Sequence, residues 1–281
     1  MNETMTRTHV CLVPLKSVFP HERVDPRRVE RLKADLQLDG VLRDPPIAAR
    51  HNGQYIILDG ATRTQALKEL GALQIPLQVV RYKEPTVRLE SWNHILLEIP
   101  ASEVRERVQT VMRSQGQAID PQTLQYELAS DRYAFGLFSS NGTGHVFNRD
   151  KNHRDRIDQL CRVVAACQEL TDIHRSHEFD LSILKSHYPH LSAVLVYPRF
   201  HPANVIQCVL DEVYMPAGIT RHLLVERVLG LNLPLELLMD PVSLEEINRR
   251  LIERIEFGFF KRTRAENGES LLRFNAMSVS T

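Results

Sequence analysis

The sequence predicts an α+β protein in two parts: a small N-terminal domain over residues 1–85 and a larger mixed α/β C-terminal domain over 86–281. Two observations predict this. Up to about Val80, short apolar runs alternate with helix-period segments punctuated by Gly and Pro. From about Glu84 onward the segments become longer and less regular, which places a boundary near Pro85. A chain of 281 residues is long enough to bury a sizeable core in either arrangement.

His9 to Leu15 reads as an apolar strand bounded by Pro14, leading into a loop that carries His21 and Glu22. Pro26 suits a first helical turn, and Val29, Leu32, Leu36 and Leu38 are expected to line one apolar stripe of a helix ending near Gly40. After a turn at Pro45 and Pro46, Ile47 to Ala49 and Tyr55 to Leu58 form two strands. They are joined at Asn52-Gly53, a dipeptide that readily adopts the positive φ angles of a tight hairpin. Asp59-Gly60-Ala61-Thr62-Arg63 then opens a helix carrying Ala66, Leu67 and Leu70 and stopping at Gly71, and Ile75 to Val80 adds a strand. In the second part, helices are expected near Ser102 to Arg113, Arg154 to Glu169 and Asn204 to Val213. Tyr133 to Phe138 and His145 to Phe147 read as a strand pair around the turn from Ser139 to Gly144. A last helix from Ser243 to Glu256 is signalled by Ser243 with Glu246 three positions later, the pattern of a capping box.

Composition narrows the function. The 35 Lys+Arg balance 35 Asp+Glu, so no accumulated positive charge draws the protein onto nucleic acid or an anionic membrane. The four cysteines, Cys11, Cys161, Cys167 and Cys208, form no Cys-x-x-Cys pair, which argues against a disulfide framework or a zinc site. His174, His177, His187 and His190 lack the paired helical spacing of a metal site. The polar stretch Met1 to Thr8 and the absence of a long apolar run point to a cytoplasmic protein without a membrane partner.

Several residues carry candidate chemistry. Free amides at the start of the helix after Asp59-Gly60, together with Arg63, can hold phosphate oxygens, although Gly at such a junction is also a common backbone device. Glu22, in a loop between strand and helix, can accept the proton of an attacking hydroxyl or simply face water. Pro216 to His222 reads as a loop with a hydroxyl and two basic side chains, suited to carboxylate or phosphate recognition, with Arg227 about one and a half turns further on if the segment is helical. Trp92, the single tryptophan, lies with Ser91 and His94 just past the first domain, where it can wall a cleft or pack in a core.

In this order the motifs resemble those of the free L-serine kinases, especially the bacterial ones linked to siderophore precursor synthesis. The stretches LVPLKSVFPHERVDPRRVERLKADLQLDGVLRDPPIAA and GQYIILDGATRTQALKELGALQIPLQ are similar to the ParB/sulfiredoxin-like domain of those enzymes, and SWNH and MPAGITRHLLVERVLGLNLPLELL resemble their later segments. The resemblance implies Glu22 as catalytic base and an essential Asp59-Gly60 turn. It implies nucleotide phosphate contacts from Arg43, Gly60, Ala61, Thr62 and Arg63, and a serine pocket shaped by Trp92, Thr220, Arg221 and His222, with the second domain completing the cleft. It further implies ATP or ADP as donor, Mg²⁺ held through the phosphates with Asp59 as a candidate contact, and a product that a downstream PLP enzyme carries toward diaminopropionate or cysteine. Thr62 departs from the family, which usually places His there; a hydroxyl still bonds phosphate but adds no charge.

Two rival readings stand beside this one. ParB-like domains also occur in nucleotide-gated DNA-binding regulators, and the basic run Lys261 to Arg264 can touch phosphates or end a solvated helix. A kinase with another small hydroxyl or amino acid as acceptor uses the same residues. Repair chemistry of the sulfiredoxin type needs a reactive Cys beside the nucleotide loop, where this chain has Ala61.

Overall fold

A computed structural model of the protein describes residues 9–83, 86–120, 123–130, 132–240, 244–246, 248, 249, 251, 260–264 and 270–274, the last two segments as backbone. The described residues divide into two compact units, one within 1–88 and 222–281 and the other Leu89–Arg221.

The first unit begins with β1 (His9–Pro14) and β2 (Val18–Pro20), separated by a single 3₁₀ turn. In α1 (Pro26–Asp39), the Asp25 carboxylate accepts the Arg27 amide, Pro26 occupies the first turn and Gly40 closes the end. Val29 and Leu36 are buried and Leu32 packs partly against the same core, whereas Leu38 is 88% exposed. The expected stripe therefore stops at Leu36, because a residue two positions on lies about 200° round the helix. Next come β3 (Val41–Leu42), β4 (Ile47–His51), β5 (Gln54–Asp59), α2 (Ala61–Glu69) and β6 (Gln74–Val80). The β4–β5 hairpin turns at Asn52 and Gly53 with φ of 47° and 79°, the left-handed pair the dipeptide favours. Among the described residues, one sheet has the order β1-β6-β4-β5-β2, with β4 parallel to β6 and β2 parallel to β5. Ile47, Ala48 and Ala49 are all buried, as expected for a strand paired on both sides.

The chain leaves this unit within β7 (Val87–Ser91) and returns within β14 (Thr220–Leu224). It continues through β15 (Glu226–Leu229), β16 (Leu233–Pro234) and α8 (Leu235–Met239) to β17 (Phe260–Arg264) and β18 (Ser270–Phe274). The continuous 86–281 domain expected from the sequence is thereby corrected. Val228, Leu231, Leu233, Leu235 and Leu238 are buried in one core with Leu12, Leu42, Leu67 and Leu77, and β16 pairs with β3. An apolar run of this kind has to be buried, and the first sheet supplies the surface. Residues 244–246, 248, 249 and 251 are helical, while Ser243 and the end of the expected last helix lie outside the described residues. Lys261 to Arg264, read as a possible helix end, lies in strand β17.

The second unit contains β8 (Asn93–Leu97), α3 (Ala101–Met112), β9 (Gln117–Ile119), α4 (Leu124–Ala129), β10 (Tyr133–Ser139), β11 (Gly144–Asn148), α5 (His153–Gln168), β12 (Ile173–Ser176), α6 (Leu181–His187), β13 (Leu191–Val196) and α7 (Pro202–Leu210). Its antiparallel sheet runs β12-β8-β13-β10-β11-β9 among the described residues, with α3 packed on α5. Ile95, Tyr133, Val146, Val194 and Leu184 meet in its core. Cys161, Cys167 and Cys208 are buried without disulfides, and burial pushes the Cys167 and Cys208 thiols up to about 12, as inert packing residues require. Among the described residues, no helix is long and apolar enough to cross a membrane.

Candidate active site

In the first unit β2 runs parallel to β5, with Val18 opposite Tyr55, Phe19 opposite Ile56 and Pro20 opposite Ile57. His21 and Glu22 therefore leave β2 at the same sheet end at which β5 delivers Leu58 and Asp59. His21 is buried at 1% exposure, and its Nδ1 donates to the Ile57 carbonyl at 2.6 Å. A carbonyl only accepts, so Nδ1 carries the ring proton. Glu22 follows directly and is half-buried.

Gly60 caps the start of α2 with φ 94° and ψ 28°, in the left-handed region. A Cβ there would stand 2.9 Å from Pro46 Cβ and 3.0 Å from Arg63 Nη2, so both the backbone angle and the space demand glycine. The absent side chain is what lets Arg63 fold back across the turn. Its Nη1 donates to the Asp44 carbonyl at 2.9 Å and its Nη2 to Asp59 Oδ2 at 3.1 Å. Arg227 Nη1 reaches the same Oδ2 at 2.6 Å. Burial alone would raise the Asp59 pKa, but the two guanidinium groups outweigh it and hold the carboxyl below its ordinary value, hence ionised at neutral pH. Gly60 has no side chain to cap the first turn of α2, which begins with Ala61, Thr62 and Arg63.

The loop expected at Pro216 to His222 is instead strand from Thr220 onward, and Arg227 lies on a strand rather than a helix. Alternation then buries Thr220, His222 and Leu224 and turns Arg221 the other way. His222 packs edge-on to His21 with ring centroids 5.5 Å apart. It bonds the Leu58 carbonyl, and its Nε2 lies 2.7 Å from the Tyr82 hydroxyl. Burial, reinforced by His21, pushes its pKa down to about 3, so the ring is neutral. With one nitrogen donating to the carbonyl, Nε2 accepts from Tyr82. Two imidazoles thus hold the last two carbonyls before Asp59.

A cleft of ≈ 280 Å³ opens beside this turn, with Leu32, Leu36, Val41 and Val228 on its apolar walls and charge of both signs from Arg43, Arg63 and Arg227 and from Asp35, Asp39 and Asp44. Arg43 is 68% exposed and pairs with Asp39 at 2.9 Å. Among the described residues no group of three or more His, Cys, Asp or Glu side chains could hold a metal ion. Magnesium does not require such a cage, because it keeps several waters and binds through one or two carboxylates and substrate phosphates.

Trp92, Thr220 and Arg221 belong to the second unit. The Arg221 guanidinium lies 4.5 Å from the Trp92 ring centroid and 3.2 Å from Glu90 Oε2, and the Trp92 amide donates to the Ile219 carbonyl at 2.9 Å. The same unit buries His94 between the Tyr197 hydroxyl at 3.0 Å and the Gly218 carbonyl at 3.2 Å. Sequence reasoning missed Tyr82, Gln78 and Glu90 and left Arg227 without a role. Only Arg227 gave any signal, as a basic residue beside the Thr-Arg-His motif.

No protein-family model matches the chain. The ATP-dependent L-serine kinase SbnI of Staphylococcus aureus is 26% identical over 244 residues, 85% of this chain and 87% of that protein. The ATP-dependent L-serine kinase of Staphylothermus marinus is 31% identical over 83 residues, 29% of this chain and 33% of that one. A truncated SbnI structure superposes with a TM-score of 0.68 at 21% identity, covering 89% of this chain and 98% of that one. The chain is thus similar over most of its length to an ATP-dependent L-serine kinase. The free serine kinase solved in complex with AMP superposes with a TM-score of 0.70 at 17% identity, covering 82% of this chain and 94% of that one. The fold is accordingly α+β, shared with these solved structures.

Proposed function

We propose that this protein transfers the γ-phosphoryl group of ATP to the hydroxyl of free L-serine, releasing ADP and O-phospho-L-serine. One observation carries the reading: Glu22 and Asp59 leave adjacent parallel strands at one sheet end, in a chain similar over most of its length to an ATP-dependent L-serine kinase.

Serine's hydroxyl is a weak nucleophile, so the site must orient it and take its proton as the oxygen–phosphorus bond forms and the bond to the β-phosphate breaks. We assign proton acceptance to Glu22. Asp59, held ionised by Arg63 and Arg227, orients the reacting groups. The Gly60 turn, the amides of Ala61 and Thr62, and Arg43 and Arg63 hold phosphate oxygens, and the apolar walls of the adjoining cleft suit a nucleobase. Mg²⁺ held through the phosphates, with Asp59 as the candidate protein contact, would supply charge neutralisation. Trp92, Thr220 and Arg221 are assigned to serine, with Arg221 the cation for its carboxylate. The assignment of His222 to serine gives way to a supporting one, since both of its ring nitrogens are engaged within the first unit.

Phosphoserine is activated for replacement at its β-carbon, which a downstream PLP enzyme of siderophore precursor or cysteine synthesis would carry out. Purified protein incubated with Mg²⁺, single amino acids and ATP, ADP or CTP, with products followed by mass spectrometry, tests the proposal. Phosphoserine from ATP supports it, and transfer only to another acceptor overturns the serine assignment.

A further inference from the structure

We propose that Arg227 is a positioning residue for Asp59 in phosphoryl transfer. The proposal rests on the serine kinase reading above.

Asp59 Oδ2 receives two guanidinium groups of different standing. Arg63 is four residues away in sequence, and its other amino group is committed to the Asp44 carbonyl at 2.9 Å, so it ties the turn to the preceding loop. Arg227 comes from 168 residues along the chain and makes the shorter contact, 2.6 Å. It can do so only if β15 is held in one register. Gln78, 2% exposed on β6, accepts from the Val228 amide at 2.9 Å and donates to the Glu226 carbonyl at 2.8 Å, bracketing the Arg227 backbone on both sides. The Gly230 amide adds a bond to Asp44 Oδ1 at 2.7 Å.

Side chains alternate along a strand, so a slip of one residue would bring the apolar Val228 or the anionic Glu226 to the place of Arg227. A buried primary amide is costly unless both its ends are bonded, and here both bond the two peptide groups that flank one arginine. Arg227 also lines the cleft beside Arg63. A carboxylate with one oxygen fixed by two cations, one of them anchored on a distant strand, is held in orientation as well as in charge, and orientation is what phosphoryl transfer asks of protein groups.

The test is a double-mutant cycle of Arg227→Ala and Asp59→Asn in the full chain, read in turnover to phosphoserine, with Arg227→Lys and added guanidinium as further arms. Arg227→Ala should lower kcat about 100-fold while KM for ATP and for serine each change less than about 3-fold. Guanidinium should restore part of the loss, and the double variant should be no slower than Asp59→Asn alone, because residues acting as one unit are not additive. Arg227→Lys keeps charge without the planar fork and should recover only part of kcat, and it serves as the cycle partner if the alanine variant does not fold. A kcat within about 3-fold of wild type in both Arg227 variants, or losses that multiply across the cycle, would overturn the proposal. Wild-type protein that makes no phosphoserine would instead overturn the kinase reading, an outcome seen before any variant is made.

Discussion

The Nδ1 proton of His21 is donated to the Ile57 carbonyl at 2.6 Å, which ties the residue immediately before Glu22 to the strand that ends at Asp59. With Pro20 opposite Ile57, the bond continues the parallel ladder by one side-chain step beyond its last pair. The two carboxylates are thereby fixed to a common scaffold rather than to separate loops. Phosphoryl transfer depends on positioning of this kind.

Glu22→Gln should keep nucleotide affinity and lose about 100-fold or more in turnover, since it removes proton acceptance with little change in volume. Calorimetric titration with ATP and a phosphoserine assay on the same preparation check this, and unchanged turnover would remove Glu22 from its role.

Gly60→Ala should destabilise the protein by about 1–3 kcal/mol and raise KM for ATP, because the φ of 94° is strained for alanine and the new Cβ meets Pro46 at 2.9 Å. Urea unfolding and initial-rate kinetics report the two effects separately. Gly53→Ala, with no atom of the described residues within 4 Å of the new Cβ beyond its chain neighbours, should leave KM unchanged.

Arg221→Ala should raise KM for serine more than KM for ATP, since its partners Trp92 and Glu90 belong with it to the second unit. Equal losses for both substrates would contradict a serine-side Arg221.

Acid should destabilise the fold from near neutrality downward. His222 is pushed down to about 3 and His94 to about 4, chiefly by burial, both below the ordinary value of 6.5. As pH falls below about 6.5 the unfolded chain takes these protons first, so stability is lost progressively until the folded values are reached. The lowered Asp59 value acts in the same direction at more acid pH. Urea midpoints measured from about pH 7 to about pH 5 should fall, and with a shallower slope in His222→Asn than in wild type.

What the sequence made legible was local. Asn52-Gly53, Gly60 and the Pro26 to Gly40 helix are each specified by residues within a few positions of one another, and each is found where expected. What it concealed depends on distant partners. The leucines at 231, 233 and 238 give no local sign that they are buried with the first sheet, because the complementary surface comes from elements near the N-terminus, around Leu12, Leu42 and Leu67. Thr220-Arg221-His222 carried its residue types openly but not its strand, so the alternation that separates Arg221 from His222 was hidden. Gln78 gave no signal, as one polar residue in an apolar strand shows its use only when Glu226 and Val228 are beside it.

Phosphoryl transfer to free serine at the Glu22–Asp59 sheet end is tested by a phosphorus NMR time course of the purified protein with Mg²⁺, ATP and L-serine. Growth of a phosphomonoester resonance matching O-phospho-L-serine in step with ADP, absent in Glu22→Gln, is the predicted result. ATP left intact, or hydrolysed to inorganic phosphate without the phosphoserine signal, would contradict it.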